Sequence, residues 1–258
     1  MNGIYTKDYL VHSYEVNYFH ELFPEVILSY MQDIAMEQSE SFGVGLEYLE
    51  QRKLFWILTR YYVKINTYPK YKDKVTITTK ATGFNKMFAY RDFKIANGQG
   101  KTLITANSQW LLIDGVTHKM MRIPDEFYKA YGVDKEYKVM GAFEKLLQPQ
   151  KSMSTTKFTA ARSDIDFNRH VNNTRYIAWA LNTIPEDIIT NYSLAEFHIH
   201  FKKEVLLHQE ISVKTDIIEK GDDLTGHHEF KNDQDEVVCS IHTSWTKVIY
   251  NKKDVCEV

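Results

Sequence analysis

Apolar residues recur along the chain in two rhythms, and both rhythms occur twice. After Pro24, where a proline can open a helix, Val26, Leu28, Met31, Ile34 and Ala35 follow at three- and four-residue steps. Gly43 is available as a stop. The period then shortens to two. Trp56 to Ile65 reads as a strand. From Val75 come VTITTKA, a short break, FAYRDFKI, a turn at Asn97-Gly98-Gln99-Gly100, and TLITANSQWLLI. The second half has the same layout. Asn172-Asn173 offers a cap before Tyr176, Ile177, Trp179, Ala180 and Leu181, and Pro185 ends that run. Leu194 to Phe201 then alternates, with Phe197, Ile199 and Phe201 against Glu196, His198 and His200. From Ile211 the chain reads ISVKTDI, a break at Gly221-Asp222-Asp223, LTGHHEFK, a turn at Asn232-Asp233-Gln234-Asp235, and EVVCSIHTSWTKV. The meander start precedes the tryptophan by 35 residues in one half (Val75 to Trp110) and by 34 in the other (Ile211 to Trp245).

Each half therefore predicts strand, helix, then four strands. A long helix with many apolar positions beside about five strands is most simply buried by curling an antiparallel sheet around it. The expectation is an α+β fold in two tandem units, 1–122 and 154–258, joined by a connector over 123–153. The connector holds Pro124, Gly141, Pro149 and a helix-compatible run around Asp125 to Tyr131.

Composition fits a folded chain of this kind. Apolar residues make up 43% and charged residues 26%, and 11 Gly with 5 Pro are too few for a disordered or collagen-like protein. The 17 Tyr, 14 Phe and 4 Trp favour half-buried pleated surfaces. Residues such as Phe55, Trp56, Tyr61, Trp110, Tyr176 and Trp245 are expected between sheet and helix. With 32 basic against 34 acidic residues, the net charge of -2 gives no whole-protein field for nucleic acid or an anionic membrane. No run of 18 apolar residues suits a membrane span, and Asp8, Glu15 and Glu21 interrupt any secretory signal core. Cys239 and Cys256 are too few for a disulfide scaffold, so a reducing, cytoplasmic compartment is expected.

Esterase-elbow, zincin and nucleotide-loop motifs do not occur. His198-x-His200 and His227-His228-Glu229 lack a third ligand at recognisable spacing, so they read as solvent-facing strand residues and no metal is expected. Cys239 alternates with Val237, Ile241 and Trp245, which places it in the core as a small apolar residue, while Cys256 is expected to be exposed. One segment is chemically dense. Asp164-Ile165-Asp166-Phe167-Asn168-Arg169-His170-Val171-Asn172-Asn173 collects two carboxylates, three amides and an imidazole directly before the second helix. Capping accounts for Asn172 or Asn173 and for one Asp. It does not call for Asn168 and His170. A helix N-terminus supplies donors for an oxyanion, and histidine titrates in the range of proton transfer, so catalysis stands beside capping as a reading.

That segment, begun at Ala161-Arg162-Ser163 and continued by Tyr176-Ile177 and Trp179, resembles the active-site region of acyl-acyl carrier protein (acyl-ACP) thioesterases, the plant plastid enzymes and their bacterial relatives. Its D-x-N-x-H-V-N-N core is shared more widely among hotdog thioesterases. Tyr14-Glu15-Val16, Arg60 to Ile65 running into Tyr68-Pro69, and Ala106 to Leu112 resemble the N-terminal half of the same family. The resemblance implies a tandem double hotdog. It implies hydrolysis of a fatty acyl chain from the phosphopantetheine arm of acyl carrier protein by activated water, without metal or redox cofactor. It assigns the catalytic set to Asp166, Asn168, His170 and Glu204, and the amides of Val171, Asn172 and Asn173 are expected at the oxyanion. Asp166 either orients the network or attacks the carbonyl. Plant members have a cysteine directly after the acid; Val205 stands there in this chain, which argues against a thiol mechanism. Without the resemblance, Glu204 reads as a strand-end acid beside Lys202 and Lys203.

The first half has Tyr68 where the second has Glu204, and Glu15-Val16-Asn17-Tyr18-Phe19-His20 holds no D-x-N-x-H run. The resemblance assigns that half to the acyl chain, with Met31, Ile34, Ala35, Trp56 and Leu58 as pocket wall; plain core is the other reading of each. An acyl-CoA thioesterase and a non-catalytic acyl sensor are the alternative functions. Lys70, Lys72 and Lys74, or Lys202 and Lys203, are candidates for docking an acidic carrier protein, in a monomer or a homodimer.

Overall fold

A computed structural model of the chain describes residues 3–133, 143, 145–149 and 154–248. Contacts divide the chain into two compact units: Met1–Glu15 with Ile27–Phe143, and Val16–Val26 with Glu144–Val258. Cys256 and much of the expected connector lie outside the described residues.

The first unit begins with β1 (Ile4–Leu10), a 3₁₀ turn at Ser13–Glu15 and α1 (Pro24–Ser41), of which the part from Ile27 onward belongs to this unit. It continues with α2 (Leu46–Gln51), β2 (Leu54–Ile65), β3 (Lys74–Asn85), β4 (Phe88–Asn97), β5 (Thr102–Asp114), β6 (Lys119–Met120) and α3 (Asp125–Tyr131). The strands pair antiparallel in the order β1-β3-β4-β5-β2, with β6 on β5. Helix α1 opens at Pro24, and Gly43 just beyond its end takes a left-handed φ of 71° that a Cβ would resist. The face carrying Leu28, Met31 and Ile34 is fully buried, as are Ile77 and Ile95 of the sheet.

The second unit contains β7 (Ser154–Thr159), a 3₁₀ turn at Arg162–Asp164, α4 (Asn173–Leu181), α5 (Glu186–Asn191), β8 (Tyr192–Phe201), β9 (Glu210–Lys220), β10 (Asp223–Lys231) and β11 (Val237–Lys247). Its strand order, β7-β9-β10-β11-β8, is that of the first unit. Strand, helix and four further strands, all antiparallel, thus occur twice, as the apolar rhythm predicts.

Several particulars differ from the sequence expectation. Helix α4 has 9 residues and stops four positions before Pro185, because the Thr183 hydroxyl donates to the Ala180 carbonyl at 2.7 Å as the chain turns. Strand β3 continues through the expected break at Gly83, absorbing it as a register shift between Ala81 and Gly83. Residues assigned to the connector include structural ones: Ile123, Phe127 and Tyr131 join Val44, Leu54, Phe84 and Leu112 in one buried cluster. Phe55 is 50% exposed instead of filling space between sheet and helix.

His227 and His228 are buried, not solvent-facing. His228 lies in a chain of hydrogen bonds that accounts for this. Trp245 Nε1 donates to Thr243 Oγ1 at 2.9 Å, which is 3.2 Å from His228 Nε2; His228 Nδ1 is 3.0 Å from Thr215 Oγ1, itself 2.6 Å from Thr183 Oγ1. One proton ordering satisfies the whole chain, running from the indole through Thr243, a neutral His228 protonated at Nδ1, Thr215 and Thr183 to the Ala180 carbonyl. Space for it depends on Gly226, where a Cβ would come within 2.3 Å of Thr243 Oγ1. Burial and the charges of His242 and His227 push the His228 imidazole down to about 3, so it stays neutral.

Candidate active site

The dense segment folds as a closed loop between the 3₁₀ turn and α4. An isolated bridge pairs Ile165 with Val171, and within it the Asp166 amide donates to the His170 carbonyl at 2.9 Å. The Asp166 carboxylate folds back on its own turn, Oδ1 accepting the Asn168 amide at 2.8 Å. This is the local bonding that Asp offers a turn. Arg169 takes a left-handed φ of 66° at the tip, and the chain then returns to present His170.

Asn172 caps α4. Its Oδ1 accepts the Thr174 amide at 3.0 Å and the Thr174 hydroxyl at 3.0 Å. The amides expected at an oxyanion separate here. Val171 N–H donates to the Val205 carbonyl and Asn172 N–H to the Asp164 carbonyl, both at 2.8 Å. Thr174 is capped, and Arg175 N–H donates to the Asn172 carbonyl at 2.9 Å. Val171 and Asn172 are therefore corrected from oxyanion donors to loop-closing donors. Among the described residues, Asn173 N–H alone in this turn has no protein acceptor.

Glu204 is in the loop after β8, three residues beyond the strand end, not on the strand itself. The Val171–Val205 bond draws that loop to the mouth of α4, and His170 Nε2 stands 3.1 Å from Glu204 Oε2. The Glu204 side chain is 57% exposed and that of His170 33%, so the pair is held in place while open to water. Asp166 and Asn168 are bound to each other through the turn, and among the described residues no hydrogen bond joins their side chains to the His170–Glu204 pair. Val205, where a cysteine nucleophile would sit, is a buried valine. Cys239 is fully buried in the core and burial pushes its thiol well up, which leaves it inert as a nucleophile.

One further pair belongs to the site and escaped the sequence reading. Asp164, read there only as a possible cap, is buried and accepts Arg175 Nε at 2.7 Å. Eleven positions separate the two, which is not a local signature of either helix or turn. Of the lysines considered for docking, Lys202 Nζ donates to Ser240 Oγ at 3.0 Å and Lys203 pairs with Glu236 at 2.5 Å. Met31, Ile34, Ala35 and Leu58 are buried in the first unit, while Trp56 is half-buried and edge-on to Phe127 with ring centroids 5.3 Å apart. Among the described residues no group of three or more His, Cys, Asp or Glu side chains is arranged to hold a metal ion, and no helix is long and apolar enough to cross a membrane.

Comparison with known proteins bears on both halves. The family model described as the acyl-ACP thioesterase N-terminal domain matches residues 2–131, and that of the acyl-ACP thioesterase C-terminal domain matches residues 147–247. An oleoyl-acyl carrier protein thioesterase of Arabidopsis thaliana is 28% identical over 219 residues, covering 78% of this chain and 59% of its own length. A palmitoyl-acyl carrier protein thioesterase of Gossypium hirsutum is 25% identical over 215 residues, covering 78% of this chain and 52% of its own. Both are described as chloroplastic. The chain thus spans about half the length of the curated relatives it matches. The crystal structure of an oleoyl thioesterase from Lactobacillus plantarum superposes with a TM-score of 0.89 at 23% identity over 96% of both chains, which shows a shared fold.

Proposed function

The chain belongs to the acyl-ACP thioesterase family, and on that premise we propose that it hydrolyses fatty acyl-ACP to free fatty acid and holo-ACP. The observation that carries the reading is the His170–Glu204 pair, 3.1 Å apart and open to water beside the N-terminus of α4.

Glu204 and His170 together take a proton from water as its oxygen attacks the thioester carbonyl carbon. The carbonyl oxygen becomes an oxyanion, for which Asn173 N–H and the positive end of α4 are the available partners. Collapse breaks the C–S bond, and the proton held by the pair passes to the departing pantetheine sulfur. Asn168, exposed on the turn, orients the incoming substrate or water. Asp166 acts by shaping the loop: its Oδ1 is committed to the Asn168 amide, which favours an orienting role over attack on the carbonyl.

The two halves divide the labour in this reading. The segment 1–122 holds the acyl chain, with Met31, Ile34, Ala35, Trp56 and Leu58 in its wall, 123–153 connects, and 154–258 carries the reacting groups. The buried free thiol of Cys239 fits a cytoplasmic, reducing location. A hydrolysis assay over a panel of acyl-ACP chain lengths, run beside the matching acyl-CoAs, tests the function. Turnover of some acyl-ACP well above its CoA counterpart is expected. CoA esters cleaved in preference would make the protein an acyl-CoA thioesterase, and binding without cleavage would make it a sensor.

A further inference from the structure

The ion pair between Asp164 and Arg175 takes no part in the steps above, yet it holds the loop on which they depend. Asp164 is 5% exposed. Its Oδ1 accepts Arg175 Nε at 2.7 Å, its Oδ2 accepts the Ala161 amide at 2.9 Å, and its carbonyl accepts the Asn172 amide at 2.8 Å. Through one residue the 3₁₀ turn, the cap and the first turn of α4 are tied together, and the His170 loop closes between them.

The first copy serves as an internal comparison. Its loop carries the equivalent bridge, Val16 with Leu22, so Asn17, Phe19 and Glu21 occupy the places of Asp166, Asn168 and His170. Glu15 stands where Asp164 does, accepting the His12 amide at 2.8 Å and the Tyr30 hydroxyl at 2.7 Å. An acid fastened to the helix is thus common to both loops. What differs is its partner: neutral Tyr30 beside a half-buried Glu15, cationic Arg175 beside a buried Asp164. The cation occurs in the copy that has the His–Glu pair.

Electrostatics gives a reason. A buried, uncompensated carboxylate close to a helix N-terminus opposes negative charge developing there. We propose that Arg175 is a positioning residue for hydrolysis: acting through Asp164, it fastens the His170 loop to α4 and cancels the carboxylate charge beside Asn173 N–H. This rests on the thioesterase reading. Arg175 also acts on Glu25, whose carboxyl burial pushes up and the Arg175 charge draws back down.

Three substitutions separate the two parts of the role. Arg175→Gln keeps an N–H donor at the position of Nε without the charge, Arg175→Lys keeps the charge, and Arg175→Ala keeps neither. With acyl-ACP as substrate, the Gln and Ala variants should lose about tenfold in kcat at unchanged KM, and the Lys variant should stay within about twofold of the unaltered protein. Asp164→Asn combined with Arg175→Gln removes both charges and should recover most of what Arg175→Gln loses. A Gln variant with full kcat, a loss confined to KM, a Lys variant as poor as Ala, or a double variant no better than Arg175→Gln would each overturn the proposal. If the Ala variant does not fold, the other three still decide. Unaltered protein that leaves every acyl-ACP intact would overturn the functional reading instead. The positioning role is then read from hydrogen exchange of the Asn172 amide, which must quicken in Arg175→Ala, which keeps neither donor nor charge, but not in Arg175→Gln or Arg175→Lys.

Discussion

The Val171 amide donates to the Val205 carbonyl at 2.8 Å, and this backbone bond sets how far Glu204 stands from His170. Neither valine side chain does chemistry. Each is the chain neighbour of a reacting group, so joining the two backbones brings imidazole and carboxylate to 3.1 Å across a sequence gap of more than thirty residues. His170→Ala and Glu204→Gln should each lower kcat on acyl-ACP by two to four orders of magnitude, the usual worth of a positioned acid or base. Far-UV circular dichroism and the unfolding midpoint should stay near those of the unaltered protein, because both side chains are partly exposed. Near-normal turnover in either variant would remove that residue from the mechanism.

Asn172 carries a different kind of burden. Its side chain caps α4 through the Thr174 amide, and its own amide ties the helix to Asp164. Asn172→Ala keeps the amide and loses the cap, which should cost about 1 kcal/mol in chemical denaturation. Asn172→Asp, which still accepts from Thr174, should restore most of it. A cap contributing nothing would leave the Ala variant and the unaltered protein with the same denaturant midpoint.

Much of this was legible in the sequence, and the limits have physical causes. The duplicated fold showed because a period near 3.6 followed by periods of two is dictated by which faces must be buried, and that requirement leaves its mark residue by residue. The Asn172 cap showed for a similar reason, since short polar side chains bond to the backbone within a few positions. Glu204 was reachable only through family resemblance, because its partnership with His170 is made by loop closure. That Val171 and Asn172 N–H are engaged while, among the described residues, Asn173 N–H is not depends on which carbonyls approach from Asp164 and Val205, and nothing local in the sequence records that. His227 and His228 misled for the converse reason. Histidine reads as polar, but threonines on the neighbouring strands and on the turn after α4 bond to His228 and make it a core residue.

Cys239 should be chemically silent in the native protein. It is fully buried, and burial holds the thiol in its unreactive protonated form. Under native conditions, peptide mapping after treatment with a thiol-directed reagent should find the Cys239 peptide unmodified, and the same treatment in denaturant should label it completely. Rapid native labelling with loss of activity would reopen the thiol as a participant.

Acid should weaken the fold through two buried imidazoles. His228 is held down to about 3 and His227 to about 4, in both cases chiefly by burial, against an ordinary value near 6.5. In the unfolded chain both take a proton as pH falls below about 6.5, whereas in the folded protein they resist until roughly pH 4 and pH 3. Their stabilising contribution is therefore complete above pH 6.5 and shrinks as pH drops through that window. Each group adds at most about 1.4 kcal/mol of lost stability per pH unit. His228→Gln, which cannot titrate but still offers a donor and an acceptor to Thr215 and Thr243, should be less stable at neutral pH and should show a shallower decline between pH 6 and pH 4. Urea denaturation at a series of pH values measures both slopes. Identical slopes in the variant and the unaltered protein would mean that His228 is not held neutral in the folded state.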